Sequence, residues 1–272
     1  MSLERPAWSE PFSAGRRDLL ARHGPWGRVD RGWAFGDGSG RGVRVAIVDS
    51  GVEGAHPAIG GRLVASVAVE RDGDEGWHVV DTPPDDVVGH GTACAGIIHA
   101  LAPEAELASV RVLGADNRGN GGAFATGLAW AIEASGAQIV NLSLSSRSDA
   151  FLVPLHELAD LAYFRGVLLV CAANNVSVAS YPSLFASVIS VAAHDAADAG
   201  TWLYNPEPPV ELGAYGLDVD VAWRGGTRMT VTGNSFAAPH IAGYAARIRS
   251  AHPGITPFET KAILAATADN AR

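Results

Sequence analysis

The chain has 272 residues, 47% hydrophobic and 18% charged, with a formal net charge of -9. This composition supplies a sizeable core and excludes intrinsic disorder, and the acidic balance argues against a nucleic-acid groove, which needs clustered Lys and Arg. No run of about 18 apolar residues occurs, so no membrane-spanning helix is predicted. In chain order, residues 1–40 are rich in Gly, Trp, Arg and Pro with little periodicity, which reads as an N-terminal segment lying over the surface of a domain spanning 41–272. Arg44 to Val48 is a short apolar run stopped by Asp49-Ser50-Gly51, the pattern of a buried parallel strand with a functional residue at its carboxyl end. Leu107 to Leu113 reads as a strand, Gly122 to Ser135 as a helix, Ile139 to Leu144 as a strand and Phe151 to Phe164 as a helix. Val167 to Ala173, ending at Asn174-Asn175, and Val188 to Ala193 continue the series as strands. This alternation predicts an α/β fold, a doubly wound, mainly parallel sheet flanked by helices in a single domain. Phe236 to Ser250 then reads as a long helix with Pro239 in its first turn, and a last helix runs from Pro257 through Ala266, capped by Thr256.

Catalytic groups of such sheets collect at the carboxyl ends of the strands. There the chain places Asp49, then His90 in Gly89-His90-Gly91-Thr92, then Ser235 in Gly233-Asn234-Ser235-Phe236. A serine hydroxyl needs a base within hydrogen-bond reach to act as a nucleophile. His90 can serve if Asp49 holds its other ring nitrogen and stabilises the imidazolium that forms. Gly89 and Gly91 are expected to leave room for a substrate backbone. Ser235, at a helix start, lies where free amide groups favour an oxyanion. Asn175, at the end of an apolar strand, is the natural side-chain donor for the same oxygen.

The order Asp, His, Ser and the surrounding segments resemble the subtilisin family of serine peptidases, the subtilases. Ala46–Pro57 resembles the family's aspartate block, His90–Ile98 its histidine block, Gly233–Gly243 its serine block, and Leu169–Asn175 the strand that delivers the oxyanion asparagine. The resemblance implies a serine endopeptidase working through an acyl-enzyme on Asp49, His90 and Ser235, with Asn175 in the oxyanion hole and a peptide or protein as substrate. It further implies that Asn117, Gly119, Ser143, Leu144, Ser145, Ala173 and Asn174 bind substrate, the peptide adding as a strand.

The chain departs from the family pattern in several places. Gly-Thr-Ser-Met becomes Gly233-Asn234-Ser235-Phe236, setting a bulky ring beside the nucleophile. Ser-Leu-Gly-Gly becomes Ser143-Leu144-Ser145-Ser146, and Asn174 stands where Gly is usual. A shallower or more polar specificity pocket follows. No cofactor is expected. The family's usual tight calcium site is expected to be lost, because His99-Ala100-Leu101-Ala102-Pro103 leads almost directly into the next strand and Ala58 follows His56-Pro57. Asp72, Asp74 and Glu75 read as a solvated acidic loop.

Other readings weigh less. His156-Glu157-Leu158-Ala159-Asp160 lacks the second histidine of a zinc peptidase, and Ala237 breaks the Gly-x-Ser-x-Gly elbow of α/β-hydrolases. His240 is expected to pack or hydrogen-bond within its helix. Cys94 and Cys171 are read as buried free thiols, Cys94 one helical turn beyond His90. The same acyl-enzyme would also serve a dedicated processing protease or a peptide ligase, and a silent peptide-binding module is the remaining rival. With no basic stretch leading into an apolar segment at Met1–Pro6, the expected location is cytoplasmic as the chain stands, or secreted if an export segment has been removed.

Overall fold

The computed structural model describes residues 29–271 except 74, 75 and 208. Its elements in chain order are α1 (Arg31–Phe35), β1 (Arg44–Asp49), β2 (Leu63–Asp72), β3 (Gly76–Asp81), α2 (His90–Leu101), β4 (Glu106–Arg111), α3 (Gly121–Glu133), β5 (Ile139–Leu142), α4 (Leu152–Phe164), β6 (Leu168–Ala172), β7 (Ile189–His194), β8 (Trp202–Tyr204), β9 (Leu212–Tyr215), β10 (Val219–Trp223), β11 (Thr227–Val231), α5 (Asn234–Ala251) and α6 (Pro257–Ala266). Alternate residues of β1 face opposite sides of the sheet. Val45 and Ile47 pack with Cys94, Ala95 and Ile98 of α2 and with Ala237, Ala238, Ile241 and Ala245 of α5. Ala46 and Val48 pack on the other side with Phe124, Leu128 and Ala131 of α3 and Leu155, Ala159 and Ala162 of α4. Both faces are covered, so the strand reads as one continuous apolar run.

The main sheet has nine strands in the order β3-β2-β4-β1-β5-β6-β7-β9-β8. Its inner pairings are parallel and only the edge pairs β2–β3 and β8–β9 are antiparallel. The predicted doubly wound, mainly parallel architecture is therefore present. Small residues let α2 and α5 approach closely. A Cβ on Gly243 would lie 2.8 Å from the Leu101 Cβ.

Three expectations change in detail. The interval between Asp49 and His90 folds as the β2–β3 hairpin; Asp72 ends β2, while Asp74 and Glu75 lie outside the described residues. Helix α5 begins at Asn234, so Pro239 sits in the second turn rather than the first. Lacking an N–H there, it leaves the Ser235 carbonyl without its helical partner, and the Ser143 hydroxyl donates to that oxygen instead at 2.7 Å. The N-terminal segment lies outside the described residues up to residue 28. From Val29 onward it docks on the core, with Ala34 fully buried and Val29 and Phe35 packed against the same cluster.

A buried arginine ties the far ends of the elements together. Arg249 of α5 donates to the carbonyls of Gln138 and Gly166 at 2.8 and 2.9 Å and to the Thr260 hydroxyl at 3.2 Å. Burial lowers its pKa to about 10. Replacing it with methionine strands the Gly166 carbonyl, and stability should fall by about 1–3 kcal/mol. A lowered urea midpoint with an unchanged slope is the expected readout; an unchanged midpoint would contradict this role.

Candidate active site

Asp49 follows Ile47 on the α2–α5 face and is fully buried at the carboxyl end of β1. Its carboxylate accepts from the Ser50 N–H at 2.7 Å and meets His90 Nδ1 at 2.8 and 2.9 Å through its two oxygens. His90 opens α2, whose N-cap Gly89 supplies no side-chain cap. The orphan amides of that first turn are met from upstream by Asp86, a carboxylate the sequence reading missed. Asp86, fully buried, accepts from the N–H groups of Val88, Gly89 and Thr92 at 2.9, 2.7 and 2.8 Å. It also accepts from the Ser50 and Thr92 hydroxyls, both at 2.7 Å. The one available signal was an aspartate just ahead of a helix start, a capping pattern with a mechanism.

The glycines beside His90 serve the chain's own packing rather than a substrate backbone. Gly89 has φ +114, and a Cβ there would lie 2.6 Å from the Trp223 ring. A Cβ on Gly91 would lie 2.1 Å from the Gly51 carbonyl oxygen.

Burial opposes charging of His90, but the charge and hydrogen bond of Asp49, with the charge of Asp86 behind, outweigh it and raise the pKa above the ordinary histidine value. Only the neutral ring can accept a proton, so a raised pKa places the acid limb of activity at higher pH than a free histidine would give. Asp86→Asn removes one of the stabilising charges and should move that limb of kcat/KM to lower pH. A limb that stays in place or rises would contradict the assignment.

Ser235 is the second residue of α5. Its Oγ lies 3.3 Å, and the Asn175 amide atoms 3.6 Å, from the place a Cβ on Gly233 would occupy. The bare glycine thus keeps the gap between hydroxyl and amide open. Asn175 Oδ1 accepts from the Asn234 N–H at 2.9 Å, which leaves its NH2 as the free end. The Asn234 side chain fastens the same corner: Oδ1 accepts from the Ala193 N–H at 2.8 Å, and Nδ2 donates to the Ala173 and Asn174 carbonyls, both at 3.2 Å. Where a bulky neighbour was expected at the nucleophile, the Phe236 ring is instead buried with Ala93 and Ile97, its centroid 5.1 Å from that of His90.

Cys94 lies beneath the site, its thiol 3.3 Å from Ser143 Oγ, 3.5 Å from the Ser235 carbonyl and 4.0 Å from Asp49 Oδ2. Burial and the nearby Asp49 charge push its pKa well up, so it stays a neutral thiol. His240 is buried, with Nδ1 2.8 Å from the Phe236 carbonyl, and desolvation lowers its pKa to about 4. It stays within its helix, as expected.

A cavity of about 360 Å³ brings together His90, Ser235 and Asn175 with Asn117, Gly119, Ser143, Leu144, Ser145, Ala173 and Asn174. Asp49 stands behind His90. The sequence reading missed Leu113 and Phe124 in the same wall; they belong to a strand end and a helix that carry no chemistry-bearing motif.

The resemblance puts a tight calcium ion in a loop within the helix after the catalytic histidine. Helix α2 runs unbroken from His90 to Leu101, and Ala102–Ala105 lead straight into β4. Calcium needs six to eight oxygen ligands, which this short connection does not present.

A buried Asp–His pair sharing a cleft with a helix-borne serine, at the carboxyl ends of a parallel sheet, is the arrangement of a serine endopeptidase. The sequence pattern of the Subtilase family matches residues 40–272. The chain is 35% identical over 247 residues to Subtilisin BL of Lederbergia lenta, covering 84% of this chain and 85% of that one. It is 31% identical over 258 residues to Thermitase of Thermoactinomyces vulgaris, covering 89% and 86%. Among solved structures it resembles a cold adapted subtilisin-like serine proteinase at 25% identity and a TM-score of 0.70, over 87% of each chain. This chain belongs to the subtilase family and is a serine endopeptidase.

Proposed function

We propose that the chain hydrolyses peptide bonds through an acyl-enzyme on Ser235. The observation that carries the reading is the buried Asp49–His90 pair, held at 2.8 Å, opening onto the cavity that Ser235 and Asn175 also line. With Nδ1 engaged by Asp49, Nε2 is the nitrogen free to take the Ser235 proton as Oγ bonds the scissile carbonyl. The oxygen so formed is stabilised by the Asn175 NH2 and the Ser235 backbone N–H. His90 then gives its proton to the departing amine as the C–N bond breaks, and water repeats the sequence to free Ser235.

The substrate is a peptide or protein segment lying along Asn117 and Gly119 on one side and Ser143–Ser145 on the other, an added strand between them. Ser145, Ser146 and Asn174 give the specificity pocket polar walls, so a wide preference for Phe or Leu before the cut is not expected. No metal enters this reading. Among the described residues no helix is long and apolar enough to cross a membrane.

Product masses from cleavage in 18O water test the proposal. Two fragments are expected whose masses sum to substrate plus one water, with 18O in the new carboxylate. A joined or cyclised product lacking added water would favour the ligase reading, and an uncleaved but bound peptide the binding-module reading.

A further inference from the structure

The β2–β3 hairpin does more than close one edge of the sheet. Between it and the loop that follows β4 lies a second cavity of about 500 Å³. Its floor is apolar, formed by Ala68, Val69, Val112 and the Trp77 ring among others. Among the described residues, the charged ones in its lining are Arg111 and Arg118, with no carboxylate.

These arginines differ from five others among the described residues. Arg31, Arg41, Arg44, Arg165 and Arg228 each meet a carboxylate. Among the described residues Arg111 and Arg118 enter no ion pair; Arg111 reaches only the Thr82 hydroxyl, at 3.4 Å. Asp116, the acid nearest to Arg118 in sequence, accepts from the Arg118 backbone N–H at 3.1 Å. A third guanidinium, Arg71, lies opposite Trp77 across the hairpin, 5.9 Å from its ring centroid. The protein is acidic overall, with a net charge of -9, so guanidinium groups gathered without a carboxylate partner among the described residues are a local feature.

The second cavity also adjoins the first. Leu113, Gly119 and Asn120 line both, so one loop separates the catalytic cleft from the arginine-lined space. A peptide lying along Gly119 would run beside that shared wall.

We propose that this cavity is a specificity subsite for an acidic side chain, Glu or Asp, of the peptide substrate, with Arg111 and Arg118 as its charge partners. The inference rests on the peptidase reading above and adds the class of residue that the substrate carries. A guanidinium forms charge-assisted, two-pronged hydrogen bonds to a carboxylate and weaker ones to an amide. The apolar floor excludes water on one side and reduces screening of that attraction.

The test is a competition. Peptides sharing one cleavable sequence carry Glu or Gln at successive positions, and each Glu/Gln pair is digested in one tube with products counted by mass spectrometry. The product ratio gives the ratio of kcat/KM and does not depend on how much of a variant is folded. Wild type should favour Glu by about tenfold at one position, the scale of one charged hydrogen bond. The preference should shrink as salt rises. Arg111→Gln with Arg118→Gln should bring the ratio to about one, Arg118→Glu should reverse it, and Arg118→Lys should keep part of it. Equal cleavage of Glu and Gln at every position by wild type, or a preference that survives the double substitution, overturns the subsite while leaving the peptidase intact. No cleavage of any peptide by a wild-type chain whose Ser235 also resists a serine-directed label overturns the peptidase reading, and the subsite falls with it.

Discussion

Ser235→Ala is expected to lower kcat about 10⁶-fold, His90→Ala to do the same, and the double variant to lose no more than either alone. The scale comes from a subtilisin, a relative of this chain, in which serine and histidine act as one unit. The structural reason is that neither group is reactive alone. A neutral hydroxyl has no thiolate-like form to draw on, and His90 can accept its proton only while Asp49 holds Nδ1 at 2.8 Å. A residual rate about 10³–10⁴ above that of water should survive, because the oxyanion donors and the cleft remain. Steady-state kinetics with a chromogenic peptide measures all three variants. Losses that multiply in the double variant would show that the two residues act independently, against the mechanism.

Asn175→Ala is expected to lower kcat by about 10²–10³ with little change in KM, again on the scale found for a subtilisin. In the proposed mechanism the donor serves an oxygen whose charge develops only as the tetrahedral species forms, so ground-state binding does not use it. Its aim depends on Asn234. The Asn234 N–H holds Asn175 Oδ1 at 2.9 Å, while its side chain anchors that corner to β7 and to the loop after β6. Asn234→Ala should therefore also lower kcat, and should do so much less in a chain already carrying Asn175→Ala, since neighbours acting through one contact are not additive. Equal losses in both backgrounds would separate Asn234 from the oxyanion donor, and a rise in KM alone would assign Asn175 to substrate binding.

Much of this was legible in the sequence because the relevant signals are short-range. The apolar run before Asp49 is buried on both faces, so it reads as a parallel strand from composition alone. Thr256 and Glu259 form a reciprocal capping box that marks the start of α6 to the residue. The cleft residues fell together because they sit just beyond strand ends or at a helix start.

What stayed hidden depends on partners far along the chain. Strand β11, Thr227–Val231, is almost wholly exposed and mostly polar; it exists through its pairing with β10. Asp86 reads as one acid among several, and only folding shows it buried with five donors around it. The place of Pro239 was misjudged because Asn234 and Ser235 already belong to the helix. Its missing N–H makes sense only once Ser143, remote in sequence, is seen donating to the Ser235 carbonyl.

Intact-protein mass spectrometry after reaction with a fluorophosphonate, on wild type and Ser235→Ala, tests the central claim most directly. A single adduct on wild type, absent from the variant and slowed below the pKa of His90, is the predicted result. A folded wild-type chain that takes up no label, or a label that persists in Ser235→Ala, would contradict an activated Ser235.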